Sequence, residues 1–337
     1  MVERVEVVVL NWLDTAATVA CLASLARQTY ANFGVIVVHN GPAQADLAPL
    51  SEAAINFRLI RNPHNLGFAG GVNVGIRAAL AGGASHVWLL NSDAEAAPDA
   101  LAHLVEAAEA EAGIGLVAPA MRNINDEDRP DLWGGVVERR HLAFHMSARE
   151  EDWQAWRLTA PDRIWLAGAA LLVRREVAER IGLFDEALFA YWEDQDYSIR
   201  SFQAGFRNIL VPAAVVWHRA KAPDPIRPTK PPYYYYYTAR NYLRLLRKYG
   251  GWRANARPLA WALARELTLA HRLRASPATV QAICAGLRDG LVGRGGEYDP
   301  TRTAGRLAAR LAPTLGGLLA RHWLRRPGRD HPPASVA

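Results

Sequence analysis

His86-Val87-Trp88-Leu89-Leu90-Asn91-Ser92-Asp93 is the stretch on which the fold turns. Its first five residues read as a buried strand, and the run stops at three polar residues. Outward from it, Gly70-Gly71 opens a helix that continues through Gly75–Leu80, and a second helix is expected from near Pro98. Val5–Leu10 is apolar and β-branched. Thr15–Gln28 then places Val19, Leu22 and Leu25 on one helical face. Val35–Val38 is a second strand ending in the turn His39-Asn40-Gly41-Pro42, Phe57–Ile60 a third, and Ile114–Ala118 a later one. Strands alternating with helices imply an α/β fold with a doubly wound, mostly parallel sheet flanked by helices. Ligands of such sheets sit at the carboxyl ends of the strands. Asn11, His39 and Asn91-Ser92-Asp93 each follow a predicted strand directly, so three polar stations share one rim.

The chain of 337 residues is long enough for one large core with a helical appendage. Its two cysteines, Cys21 and Cys284, lie far apart in no metal-binding spacing, which fits a reducing compartment and no disulfide scaffold. The opening residues carry acids and run straight into the first strand, unlike a signal peptide. No apolar run approaches the length of a membrane span. The net charge of +6 is unevenly spread: residues 240–337 hold 18 Lys+Arg against 5 Asp+Glu. A basic end beside an acidic body suggests a surface for anionic partners, although solvated Arg-rich helices would give the same count.

Residues 121–163 are polar, contain Trp133, Trp153 and Trp156, and show no clear period. An ordered block follows: Leu166–Val173, a helix at Arg175–Ile181, an acidic cluster with a helix to about Gly205, and the strand Asn208–Trp217. Pro223, Pro225, Pro228, Pro231 and Pro232 mark a linker. Helices are predicted over Tyr233–Tyr249, Pro258–Arg274 and Pro277–Leu291, with a last one toward Trp323.

Four places carry candidate chemistry. Asp93 at a strand end can enter the shell of a hard cation, or cap the next helix in competition with Asp99. In Glu193-Asp194-Gln195-Asp196 three carboxylates crowd within four residues, which raises at least one pKa and suits a general base. Asp196 and Arg200 are four apart on a helix and can pair, leaving Glu193 and Asp194 free. The bland alternative is a solvated first turn favoured by the helix dipole. His218 at a strand end can be a metal ligand, a proton shuttle or a surface residue. The glycine-rich segment from Asn65 to Gly75 presents amides to an anion or simply packs a helix close to the sheet. It lacks dinucleotide-fold spacing.

Together these segments resemble glycosyltransferase family 2, of GT-A fold, and within it rhamnosyltransferase-like bacterial enzymes of cell-surface polysaccharide synthesis. The matching pieces are Val7–Trp12, Gln28-Thr29-Tyr30, Asn65–Asn73, Leu89–Asp93, Gly168–Arg175, Gly182–Glu186 and Tyr191–Asp194. The resemblance implies that Asp93, with His218 as second ligand, holds Mg²⁺ or Mn²⁺ against the donor diphosphate. It makes Asp194 the catalytic base, with Glu193 beside it. Leu10, Asn11, His39, Asn65, Gly67, Asn73, Asn91 and Ser92 line the nucleotide-sugar site, and Trp165, Gly168 and Trp192 the acceptor side. Two departures stand out: Asn91 replaces the first acid of the metal motif, and His39 replaces the Asp that ends the second strand.

The resemblance further implies an inverting transfer from a dTDP- or UDP-sugar to a saccharide or lipid-linked acceptor, and no nucleic-acid partner. A cytoplasmic protein, with its basic helices against an anionic inner membrane surface, would follow. The expected organisation is a catalytic domain over 1–222, divided near 120 into nucleotide-binding and acceptor halves. A linker at 223–232, a basic helical extension over 233–330 and a disordered tail at 331–337 complete it. A sugar nucleotidyltransferase is disfavoured, since no Gly-rich N-terminal loop with Arg awaits a triphosphate. A non-catalytic nucleotide-sugar-binding module is the remaining rival.

Overall fold

The computed structural model describes residues 3–131, 133–138, 142–219, 230–250, 256–274 and 276–323. In chain order its elements are β1 (Val5–Asn11), α1 (Thr15–Leu25), β2 (Phe33–His39), β3 (Arg58–Arg61), α2 (Gly67–Ala81), β4 (His86–Asn91), β5 (Ala94–Ala96) and α3 (Ala100–Glu109). Then come β6 (Ile114–Asn123), β7 (Asp126–Pro130), β8 (Gly134–Glu138), β9 (Ala143–Met146), α4 (Glu150–Thr159), β10 (Ile164–Leu166), β11 (Ala170–Arg174), α5 (Arg175–Ile181), α6 (Glu193–Gln203) and β12 (Arg207–His218). The last helices are α7 (Pro232–Leu245), α8 (Ala256–Arg272), α9 (Pro277–Val292) and α10 (Arg306–Trp323). Two compact units result, one of residues 1–137, 145–186 and 193–220, the other of 138–144, 187–192 and 221–337. Most of the proline-rich linker, Trp252 and the whole 331–337 tail lie outside the described residues.

The first unit is built on a sheet ordered β3-β2-β1-β4-β11-β6-β12-β5, with β7 added to β6. β3, β2, β1 and β4 are mutually parallel, as the strand–helix alternation requires. β11 then inserts antiparallel between β4 and β6. Val7, Val8 and Val9, consecutive on β1, are all buried, so the strand is covered on both faces; Leu22 and Leu25 on α1 are fully buried too. Asp14 caps α1, its carboxylate accepting from the Ala17 N–H at 2.9 Å.

Two stretches depart from expectation. Leu166–Val173 is broken at Ala167-Gly168-Ala169: β10 pairs with β8, and β11 joins the main sheet. Residues 121–163, expected to be irregular, hold β7 to β9 and α4. α4 escapes a periodicity reading because Trp153 is its one buried residue, in a helix otherwise charged and exposed. The helix placed near Pro98 starts at Ala100, because Ala94–Ala96 form β5 against β12. Asp93 therefore caps no helix.

The second unit is helical. α7 lies along α9, and α10 along α8. Arg240 and Asn241 on α7 are fully buried and donate to the carbonyls of Leu188 and, from Asn241, of Ala190 and Tyr191. Among the described residues no helix is long and apolar enough to cross a membrane.

Candidate active site

Strand register brings the polar stations into line. Asn11 stands opposite His39, and Leu10 opposite both Val38 and Asn91. The side chains then divide sharply in what they do. His39 is buried, with Nδ1 2.8 Å from Asn11 Oδ1 and Nε2 3.1 Å from the Pro42 carbonyl. Asn11, also buried, donates to Thr18 Oγ1 at 2.7 Å. These two residues brace the ends of β1 and β2 and offer no free polar edge to a nucleotide. Both side chains, which the resemblance sets along the nucleotide-sugar site, are thus engaged within the protein.

Asn65 and Gly67 shape the chain into α2. Asn65 Oδ1 accepts from the Gly67 N–H at 2.9 Å, and Gly67 has φ of 74°. Asn40 ties the same corner together, donating to the Gly67 carbonyl at 2.8 Å and accepting from Asn62 at 3.0 Å. A methyl on Gly75 would stand 2.3 Å from Val8, so close helix–sheet packing accounts for that glycine. Asn73 is likewise occupied: its amide donates to the Phe184 carbonyl and to Glu186, and accepts from the Phe184 N–H at 3.0 Å. Asn73, expected along the nucleotide-sugar site, thus braces α2 against the Phe184–Glu186 segment.

The metal motif is assembled by the sheet. β5 runs antiparallel to β12 with Ala94 opposite His218, and the Arg219 N–H donates to the Asp93 carbonyl. His218 Nε2 stands 3.3 Å from Asp93 Oδ1, across 125 residues of sequence. That nitrogen is buried and makes no hydrogen bond of good geometry. The other ring nitrogen, Nδ1, lies 2.7 Å from Asp131 Oδ2. Asp131 follows β7 and is tethered to β6 by its N–H on the Met121 carbonyl. Burial opposes charging of His218, yet the carboxylates of Asp131 and Asp93 push its pKa up to about 9. Burial alone would raise Asp93, but the His218 contact holds its carboxyl below the ordinary value.

This pair fits a divalent cation. A partly exposed carboxylate and a buried nitrogen lacking a hydrogen-bond partner converge, and oxygen plus imidazole suits Mg²⁺ or Mn²⁺. Among the described residues no three His, Cys, Asp or Glu side chains are grouped to hold a metal alone. Phosphate oxygens and water would complete the shell. Asp131 was missed in the sequence: it lies in the stretch without period, and only the β6–β7 hairpin carries it to His218.

The second acidic station is tied to the first through one strand end. The Asn91 N–H donates to the Ala169 carbonyl at 2.8 Å, and the preceding residue, Gly168, donates its N–H to Asp194 Oδ2 at 3.0 Å. Asp194 Oδ1 accepts from the Gln195 N–H at 2.9 Å. Burial pushes the Asp194 carboxyl up to about 6 despite these bonds. Glu193 is raised well above its usual range by burial and by Asp194 beside it, and its buried Oε2 has no hydrogen-bond partner. Asp196 pairs with Arg200 Nε at 2.9 Å, as the four-residue spacing anticipates. Arg200 also holds the Ile181 and Leu183 carbonyls. Of the three acids, Asp194 alone is not fully buried, and the Gly168 and Gln195 amides fix its carboxylate.

The tryptophans mostly pack. Trp165 is fully buried, and Trp133 and Trp153 are buried with their indole N–H groups on the Met121 and Ser147 carbonyls. Trp165, expected on the acceptor side, is thus packed inward with no exposed ring face. Trp192, in the second unit, has φ of 74° and donates to the Thr238 carbonyl at 3.1 Å. Gly168 serves as the anchor of Asp194.

A wound sheet with Asp93 and His218 converging, and a half-buried carboxylate near its carboxyl rim, matches a glycosyltransferase of the GT-A fold. The chain belongs to glycosyl transferase family 2, whose family model matches residues 7–182. It is 28% identical over 270 residues to an N-acetylglucosaminyl-diphospho-decaprenol L-rhamnosyltransferase of Mycobacterium tuberculosis, covering 75% of this chain and 86% of that one. Among solved structures it resembles a mannosyltransferase of Pyrobaculum calidifontis in complex with GDP-Man and Mn²⁺, with a TM-score of 0.52 and 18% identity. That likeness covers 95% of this chain and 82% of the other. The S. aureus TarS structure matches with a TM-score of 0.57 at 14% identity, covering 97% of this chain and 56% of that one.

Proposed function

We propose that this glycosyltransferase inverts the sugar it moves, taking rhamnose or another hexose from a dTDP- or UDP-sugar to a saccharide or lipid-linked acceptor in cell-envelope polysaccharide synthesis. The observation that carries the reading is Asp194: a half-exposed carboxylate, raised to about 6, pinned by the Gly168 N–H on the strand end that also holds Asn91. The Mycobacterium tuberculosis relative, by its name, supports a rhamnosyl donor and a lipid-diphosphate acceptor.

In this reading Asp194 takes the proton of the acceptor hydroxyl as that oxygen bonds to the anomeric carbon. The bond from that carbon to the diphosphate breaks on the opposite face, so one displacement inverts the centre. Asp93 and His218 would hold Mg²⁺ or Mn²⁺, which when bound neutralises charge on the departing diphosphate. Asp131 keeps the His218 ring turned so that Nε2 faces Asp93. Ser92 and the Asn91 amide would serve the nucleoside, and Leu10, opposite Asn91 in the sheet, would supply an apolar wall. Burial and the neighbouring Asp194 carboxylate both disfavour the charged form of Glu193.

The reading extends to a catalytic domain over 1–222, a cytoplasmic location and a basic helical extension over 233–330 that meets an anionic membrane surface. A hydrolysis screen over dTDP-, UDP- and GDP-sugars with Mn²⁺ tests the function. Metal-dependent release of one nucleoside diphosphate, abolished in Asp194→Asn, is the expected result. Tight binding of a nucleotide sugar with no turnover would leave a binding module instead.

A further inference from the structure

The exposed side of α10 is its apolar side. Leu307, Leu311, Leu315 and Leu318 are 70%, 48%, 48% and 59% exposed, and their spacing of four, four and three sets them in one stripe. The opposite side is made of small residues pressed onto α8. A methyl on Gly316 would stand 1.9 Å from the Leu267 carbonyl oxygen, and His271 Nδ1 reaches the Pro313 carbonyl at 2.9 Å. This arrangement inverts that of a helix serving a core, where leucines face inward. Nothing among the described residues covers the stripe, and isolated exposed leucines elsewhere do not form such a row.

Charge indicates the occupant. Residues 301–329 contain seven arginines, Arg302, Arg306, Arg310, Arg321, Arg325, Arg326 and Arg329, and no acid. A second copy docking stripe to stripe would bring two equally basic segments together. An anionic lipid surface is complementary to both features, because leucines enter the acyl boundary while arginine stems carry their charges to the headgroups. Each basic residue near such a surface contributes about 1 kcal/mol of attraction. The helix is too short and too polar to span, so it lies in the plane.

We propose that α10 docks the protein onto an anionic phospholipid bilayer, with Leu307, Leu311, Leu315 and Leu318 inserted and Arg310 at the headgroup level. This names the helix behind the membrane contact, and it rests on that part of the functional reading. A lipid-linked acceptor is confined to the bilayer, so docking there concentrates the enzyme at its substrate.

The test is co-sedimentation of the full chain with phosphatidylcholine vesicles, with and without phosphatidylglycerol. Wild type should bind the anionic vesicles at least about tenfold more tightly, with affinity falling as salt rises. Leu311→Gln with Leu315→Gln should weaken that binding by about tenfold or more while leaving charge, circular dichroism and donor hydrolysis unchanged. Arg310→Gln should weaken it less and flatten the salt dependence. Failure of wild type to bind, or undiminished binding of the double variant, overturns the proposal. A dimer in lipid-free buffer that the double variant dissolves also overturns it, in favour of a second copy. Donor hydrolysis is measured alongside: its absence from wild type refutes the glycosyltransferase reading, whereas leucine-dependent vesicle binding still supports the docking helix.

Discussion

Asp131 Oδ2 lies 2.7 Å from Nδ1 of His218, while Nε2 of the same ring stands 3.3 Å from Asp93. The imidazole is thus held by one carboxylate and turned toward another. An outer carboxylate of this kind fixes ring orientation and raises ligand basicity, and its loss commonly costs 10–100-fold in metal affinity. Asp131→Asn keeps the shape and removes the charge. We expect Mn²⁺ affinity, read by electron paramagnetic resonance in the presence of UDP, to fall by about tenfold. Unchanged affinity would refute the orienting role, whatever happens to turnover.

Asp194→Asn isolates the proton-transfer step. The Asn oxygen can still accept from the Gly168 N–H, so the local backbone should hold. Loss of a positioned base reduces turnover by about 10²–10⁴-fold. Donor binding, measured by calorimetry with metal present, should stay close to wild type. Substantial residual transfer would dismiss Asp194 as the base and direct attention to Glu193.

Gly168→Ala probes the seat of that base. The added methyl would stand 3.1 Å from Asp194 Cβ, so the carboxylate or its strand end must shift by a few tenths of an ångström. Small misplacement of a reacting group is costly in rate and need not alter donor binding. We expect kcat to fall about tenfold with donor KM little changed. An equal loss in both would point to a collapsed donor site.

The sheet was legible because strands and helices announce themselves by period. β1, β2 and β4 and the polar residues after them follow from short apolar runs. What the residue types could not convey was the direction in which a side chain is spent. His39 and Asn73 sit at the expected rim and glycine-rich helix, yet partners as far off in sequence as Asn11 and Phe184 consume their polar atoms. Trp165 falls on a strand of three residues whose neighbours are all buried, and only the tertiary fold discloses that. Asp131 was hidden for the opposite reason, since a hairpin in an aperiodic stretch delivers it. Asp196 was readable because its partner Arg200 is one helical turn away.

The bracing role of Asn73 has a thermodynamic signature. Asn73→Ala would leave the Phe184 N–H and carbonyl without their side-chain partner in a buried setting. Each unsatisfied group of that kind costs about 1–3 kcal/mol. Urea unfolding should show a loss of about 2–4 kcal/mol, with donor affinity unaltered below the transition. A stable variant with weakened donor binding would return Asn73 to the nucleotide-sugar site.

The pH dependence of activity and of stability should run in opposite directions through the same residue. Burial raises the Asp194 carboxyl from an unfolded value of 3.8 to about 6. A base must be ionised to act, so kcat/KM should climb as pH rises through about 6 and level off above about 7. Stability responds with the other sign: the folded state holds this proton more tightly than the unfolded chain. The contribution is fully present below 3.8 and is lost as pH rises through about 6. Asp194→Asn removes the titration, so denaturation midpoints measured from pH 4 to pH 7 should fall less steeply in the variant than in wild type. Parallel slopes would mean that Asp194 ionises at its ordinary value, and an activity limb near 6 would then belong to another group.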